Sequence, residues 1–76
     1  MKKIHILVVD DDYIDANETK DTLARAGFRE VVVAVTVDKA FQRIGEKKPD
    51  IVLMDIRLRE KNGIEAAKQI HSRYDI

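Results

Sequence analysis

The 76-residue chain has no cysteine, so disulfides, thiolate catalysis and cysteine-based zinc sites are all excluded. Nothing therefore staples a core this small. A domain of this length buries only about 60% of the surface its unfolded chain exposes, so help from a second chain is expected. There is also no excess of one charge. Fourteen Lys and Arg stand against fourteen Asp and Glu, and no global field favours nucleic acid or an anionic membrane. Long apolar runs are missing as well, since Ile4 to Val9 is far too short to cross a bilayer. Met1-Lys2-Lys3 leads into that run without a signal-peptide cleavage site, and a cytoplasmic location is the expectation. Internal repeats, linkers and low-complexity tracts are absent too, which leaves one small domain at most.

What is present is an alternation of two patterns. Ile4 to Val9, Val31 to Val37 and Ile51 to Ile56 are rich in Val and Ile and too short for buried helices, so they read as strands. A helical pattern follows each one. The first helix is expected from about Asp12 to Ala26, with Gly27 ending it by tolerating a left-handed backbone. Its expected packing face is thin: Thr19, Thr22 and Ala26, with Ile14 and Leu23 as the sizeable apolar groups. Asp38 reads as the N-cap of a second helix whose apolar face is Ala40, Phe41 and Ile44 and which ends near Lys47-Lys48, before Pro49. After the turn signal Asn62-Gly63, a third helix repeats Ile64, Ala67, Ile70 and Tyr74. Near-continuously apolar strands alternating with helices imply an α/β layer structure with right-handed crossovers and a parallel sheet.

In such sheets ligands bind outside the carboxyl ends of the strands. Asp10, Asp11 and Asp12 follow the first strand and Asp55 ends the third, so acidic groups from distant positions converge on one edge. Carboxylates this close repel one another, and a hard, oxygen-seeking cation such as Mg²⁺ neutralises them most simply. One carboxylate is then placed to accept a phosphoryl group as an acyl phosphate. Asp12 reads as an N-cap outside the ligand set. Asp50 reads as a turn residue at the opposite edge, and His5 and His71 as packing or surface residues.

The segments Ile6-Leu7-Val8-Val9-Asp10-Asp11-Asp12, Asp50-Ile51-Val52-Leu53-Met54-Asp55-Ile56-Arg57-Leu58 and Asn62-Gly63 resemble a response-regulator receiver domain of two-component signalling, over essentially the whole chain. The resemblance implies a flavodoxin-like fold, here three βα units with strand order 2-1-3. It places Asp10 and Asp11 on the family's metal-binding acidic pair and Asp55 on its phosphoacceptor. The backbone carbonyl of Arg57 falls on the position that completes a Mg²⁺ (or Mn²⁺) site. Gly63 matches the glycine before the third helix, and Ala34 the small residue late in the second strand.

Implied partners are a histidine kinase or phosphotransfer protein. The module is expected to signal by changing conformation and not to act as an enzyme on a separate substrate. The chain departs from the family at Arg59, Glu60, Lys61 and Asn62, where receivers carry Pro, a variable residue, Met and Asp. It also ends before the fourth and fifth strands, which supply a Ser or Thr and a Lys to the phosphoryl group. Residues 1–76 are thus expected to be a partial receiver with impaired phosphorylation. Its third strand is expected at a sheet edge, exposing Ile51-Val52-Leu53-Met54 to a second copy of the chain in a homodimer. Two competing readings stand beside this one. In a haloacid-dehalogenase-like phosphatase Asp10 of Asp10-Asp11-Asp12-Tyr13-Ile14 is the nucleophile, and a self-assembling structural fragment has no signalling role.

Overall fold

The computed structural model describes residues 3–55, 63–74 and 76. Three strands, β1 (His5–Val9), β2 (Glu30–Ala34) and β3 (Ile51–Met54), alternate with three helices, α1 (Tyr13–Arg25), α2 (Val37–Glu46) and α3 (Gly63–Tyr74). The sheet is parallel, as the alternation of patterns implies, and its order is β2-β1-β3, as the resemblance implies. β1 is central and buried along its whole length.

Side chains of a strand alternate between faces, and this alternation divides the core. Ile6 and Val8 pack with Ala16, Val31, Leu23, Phe28 and Val33 on the α1 side. Leu7 and Val9 point the other way, into a larger cluster with Ala34, Val37, Ala40, Ile44, Ala66 and Ile70 from the α2 and α3 side. At that outer seam the Phe41 and Tyr74 rings lie 6.0 Å apart and the Arg73 guanidinium sits 5.3 Å over Phe41, which ties α2 to α3. Truncating a buried core aliphatic such as Leu7 to Ala would cost about 2–5 kcal/mol.

Several local expectations are corrected. Leu23 of α1 packs against the core as expected, but the fully buried residue of that helix is Ala16, whereas Ile14 is 70% exposed. The Thr19 and Thr22 hydroxyls donate back to the carbonyls of Asp15 and Glu18, so they satisfy themselves along the helix instead of forming a packing face. α2 starts at Val37 and its N-cap is Thr36, whose hydroxyl accepts the Lys39 N–H at 3.0 Å; Asp38 lies inside the first turn, where its charge suits the helix dipole. On α3 the buried residues are Ala66 and Ile70, with Tyr74 half-buried in line at successive i+4 steps, while Ile64 and Ala67 are exposed. Gly27 does end α1, at φ 100°.

β3 departs from the expectation of strands buried on both faces. Val52 and Met54 pack into the larger cluster, but Ile51 and Leu53 are 43% and 40% exposed. They pair in register with Ile6 and Val8 and so belong to the α1 side. Among the described residues α1 packs chiefly over β1 and β2, which accounts for the exposure of that flank of β3. Ile56 lies outside the described residues.

Candidate acidic cation and phosphoacceptor site

The tips of β1 and β3 are fixed by backbone before any acidic side chain is considered. Beyond the last residue of β1, the Asp10 N–H donates to the Ala34 carbonyl at 3.1 Å, and beyond β3 the Asp55 N–H donates to the Val9 carbonyl at 2.9 Å. Both ladders thus run one residue past their strands and bring Asp10 and Asp55 to the same edge. The chain then turns sharply into α1. The Asp12 N–H donates to Asp10 Oδ1 at 2.9 Å, while Asp12 Oδ1 accepts the N–H groups of Ile14 (2.9 Å) and Asp15 (3.2 Å). Asp12 therefore caps α1, as its sequence position suggests. Its Oδ1 is engaged in the cap, a role that accounts for Asp12 without the second acid of a D-x-D phosphatase.

Asp10, Asp11 and Asp55 each offer a carboxylate oxygen, and these oxygens all lie within 4.8 Å of one another. Opposed ligands of Mg²⁺ stand about 4.2 Å apart, so the spread is close to that of a single hard-cation shell. The three are half-buried and open onto a shallow depression that Asp12, Tyr13, Ile14 and Asp15 also line. Burial is the main cause that holds the Asp10 pKa above its ordinary value of 3.8, and repulsion from Asp55, Asp15 and Asp11 adds to it. The Asp12 N–H works in the opposite direction by favouring the charged form. The N-terminus of α1, its positive end, also faces this cluster.

Arg57, Arg59, Glu60, Lys61 and Asn62, which carry the expected carbonyl ligand and the departures from the family, lie outside the described residues. His5 and His71 take no part in the cluster. Asp15, three residues beyond the capping Asp12, is a further contributor with no signal of its own in the sequence, and its charge reaches Asp10. Asp50 is also more than a turn residue, because its carboxylate Oδ2 accepts the His5 N–H at 2.8 Å.

An open parallel sheet flanked by helices on both faces, with carboxylates gathered at the tips of its central and third strands, defines a flavodoxin-like α/β module. The chain belongs to the response regulator receiver domain family, whose family model matches residues 6–76. Among curated relatives it is 40% identical to the chemotaxis protein CheY of Thermotoga maritima over 65 residues, covering 86% of this chain and 54% of that protein. The sensory transduction protein LytT of Bacillus anthracis is 38% identical over 65 residues, 84% of this chain and 26% of LytT. The chain thus spans about half, or less, of the length of these relatives. The N-terminal domain of a response regulator receiver protein from Methanoculleus marisnigri superposes with a TM-score of 0.85 at 27% identity, covering 96% of this chain and 58% of that one. A mutant MaeR response regulator bound to sulfate shares the fold, with a TM-score of 0.86 at 24% identity.

Proposed function

We propose that the chain is the phosphoacceptor part of a two-component signalling module, in which Asp55 receives a phosphoryl group from a histidine kinase or phosphotransfer protein. The convergence of Asp10, Asp11 and Asp55 at one edge of the sheet carries this reading. Asp10, Asp11 and Asp55, with the Arg57 carbonyl, would hold Mg²⁺ or Mn²⁺. Such an ion, when bound, supplies charge that offsets the phosphoryl oxygens. The protein's own part is to hold Asp55 at the strand tip with its backbone N–H committed to Val9. From there a carboxylate oxygen forms a new P–O bond while the donor's bond to phosphorus breaks and the donor leaves with the electron pair.

Residues 1–76 correspond in this proposal to the first three βα units of a receiver in the cytoplasm, and the module acts by altered partner affinity, not as an enzyme on a separate substrate. Among the described residues no helix is long and apolar enough to cross a membrane. Nucleic acid is not a proposed partner, because the net charge is zero. Assayed as 76 residues by itself, the chain should bind the cation and accept phosphorus slowly. It lacks the Ser or Thr and the Lys that the family brings from later strands, and each preorganised donor to developing charge is worth about 2.7–4 kcal/mol. The outer edge of β3, with Ile51 and Leu53 exposed, is the proposed surface for self-association.

Incubation with Mg²⁺ and a small phosphodonor, followed by intact mass and mapping of the labelled residue, tests the reading. Slow, Mg²⁺-dependent labelling of Asp55 that disappears in Asp55→Ala is expected. Labelling of Asp10, or labelling of Asp55 that is indifferent to the cation, would overturn it.

A further inference from the structure

We infer that Asp50 is a positioning residue: from the edge of the sheet opposite the acidic site, it locks the register of β3 on β1 and thereby sets Asp55 beside Asp10 and Asp11. The functional half of this inference rests on the site proposed above; the structural half does not.

The lock adds a polar contribution to what burial imposes on the register. Ile6 to Val9 pairs with Ile51 to Met54, four aliphatic residues against four. A slip of one residue turns every side chain to the wrong face and is excluded by burial. A slip of two keeps every face correct, but it brings Asp50 opposite Leu7 in one direction or Asp55 opposite Val8 in the other, so it places a carboxylate against the buried central strand as well as breaking the strand-end hydrogen bonds. It would carry Asp55 about 6.6 Å along the strand, at about 3.3 Å per residue. That exceeds the 4.8 Å within which the carboxylate oxygens now gather. The aliphatic contacts by themselves discriminate weakly, because β3 has only four residues and leaves Ile51 and Leu53 substantially exposed.

Polar contacts at the strand ends do discriminate. At the far edge the Asp50 N–H donates to the His5 carbonyl at 2.8 Å, and the His5 N–H donates to Asp50 Oδ2 at 2.8 Å. A side-chain oxygen thus serves His5 where a longer strand would offer a carbonyl, and the two residues bind each other reciprocally. His5 is only 6% exposed, so its N–H would be costly to leave without an acceptor. Its ring extends the same hem to β2 on the other side, since Nδ1–H donates to the Glu30 carbonyl at 3.2 Å. Displacing β3 by two residues would break this reciprocal pair at one end and the Asp55 N–H to Val9 bond at the other.

Asp50→Ala, Asp50→Asn and Asp50→Glu are compared with wild type and with Ile70→Val, a core variant on the α3 side that weakens the fold without touching either strand end. Two quantities are read under native conditions: amide hydrogen exchange at His5 and Asp55, and Mn²⁺ affinity. Asp50→Ala is expected to lose about tenfold in both, the equivalent of one hydrogen bond. Asp50→Asn keeps an oxygen acceptor and is expected within about threefold of wild type. Ile70→Val is expected to leave Mn²⁺ affinity unchanged. If Asp50→Ala matches Ile70→Val in both readings, the lock is refuted. If Asp50→Ala does not fold, Asp50→Glu, whose longer side chain misplaces the oxygen, carries the test: it should lose protection at His5 and Asp55, and wild-type protection there would refute the inference. Should wild type bind no Mn²⁺, the cation reading fails, and exchange at Asp55 still decides the role of Asp50.

Discussion

Asp10→Asn should make the cation-free protein more stable and make it indifferent to Mg²⁺. The substitution retains Oδ1, so the hydrogen bond from the Asp12 N–H survives and only charge is lost. Two unit charges 4.8 Å apart repel by about 0.9 kcal/mol even at the dielectric of water. The carboxylate oxygens of Asp10, Asp11 and Asp55 all lie within that distance, and neutralising Asp10 removes two of the three repulsions. A gain of about 1–2 kcal/mol is therefore expected at pH 7 in low salt, which for a domain of this size raises Tm by about 4–15 °C. Mg²⁺ at ten times its Kd should stabilise wild type by about 1.4 kcal/mol and the variant hardly at all.

The direction of the pH dependence follows from the raised pKa of Asp10. Between the ordinary value of 3.8 and the raised one, the folded state holds more proton at this carboxyl than the unfolded state does. Its contribution to stability therefore falls as pH rises through that window, and the full penalty stands above it. In Asp10→Asn this contribution should be absent. Urea unfolding of both proteins from pH 4 to 7, with and without Mg²⁺, measures all of these effects. A less stable Asp10→Asn, or equal stabilisation of both proteins by Mg²⁺, would refute the account of a repulsive cluster relieved by a cation.

Thr36→Ala should cost about 1 kcal/mol in urea unfolding, because it removes the acceptor for the Lys39 N–H, whereas Asp38→Ala should cost only a few tenths. Equal losses would mean that the helix is capped otherwise. Leu53→Lys places a charge on the exposed flank of β3 and should dissociate any self-assembly in sedimentation at micromolar concentration. A wild-type chain that sediments as a compact monomer would remove the basis for that surface.

The sequence determined the order and type of every element, because three short Val- and Ile-rich runs alternating with helical periodicity admit few alternatives to a parallel α/β sheet. It also singled out Asp10, Asp11 and Asp55, since residues that follow buried parallel strands must emerge at one edge. The cap at Asp12 and the stop at Gly27 were legible for a similarly local reason: each depends on the backbone within three residues of itself. Only the tertiary structure decided which face each helix buries. Ala16 displaced Ile14 from the core, and Ala66 displaced Ile64, because packing selects the side chain that fits the approach of helix to sheet and not the most apolar one on a helical wheel. The tertiary structure also decided that Asp50 serves His5, 45 residues earlier in the chain. A hydrogen bond across parallel strands leaves no trace in sequence spacing, because the crossover between the strands sets their separation and the register alone sets their contact.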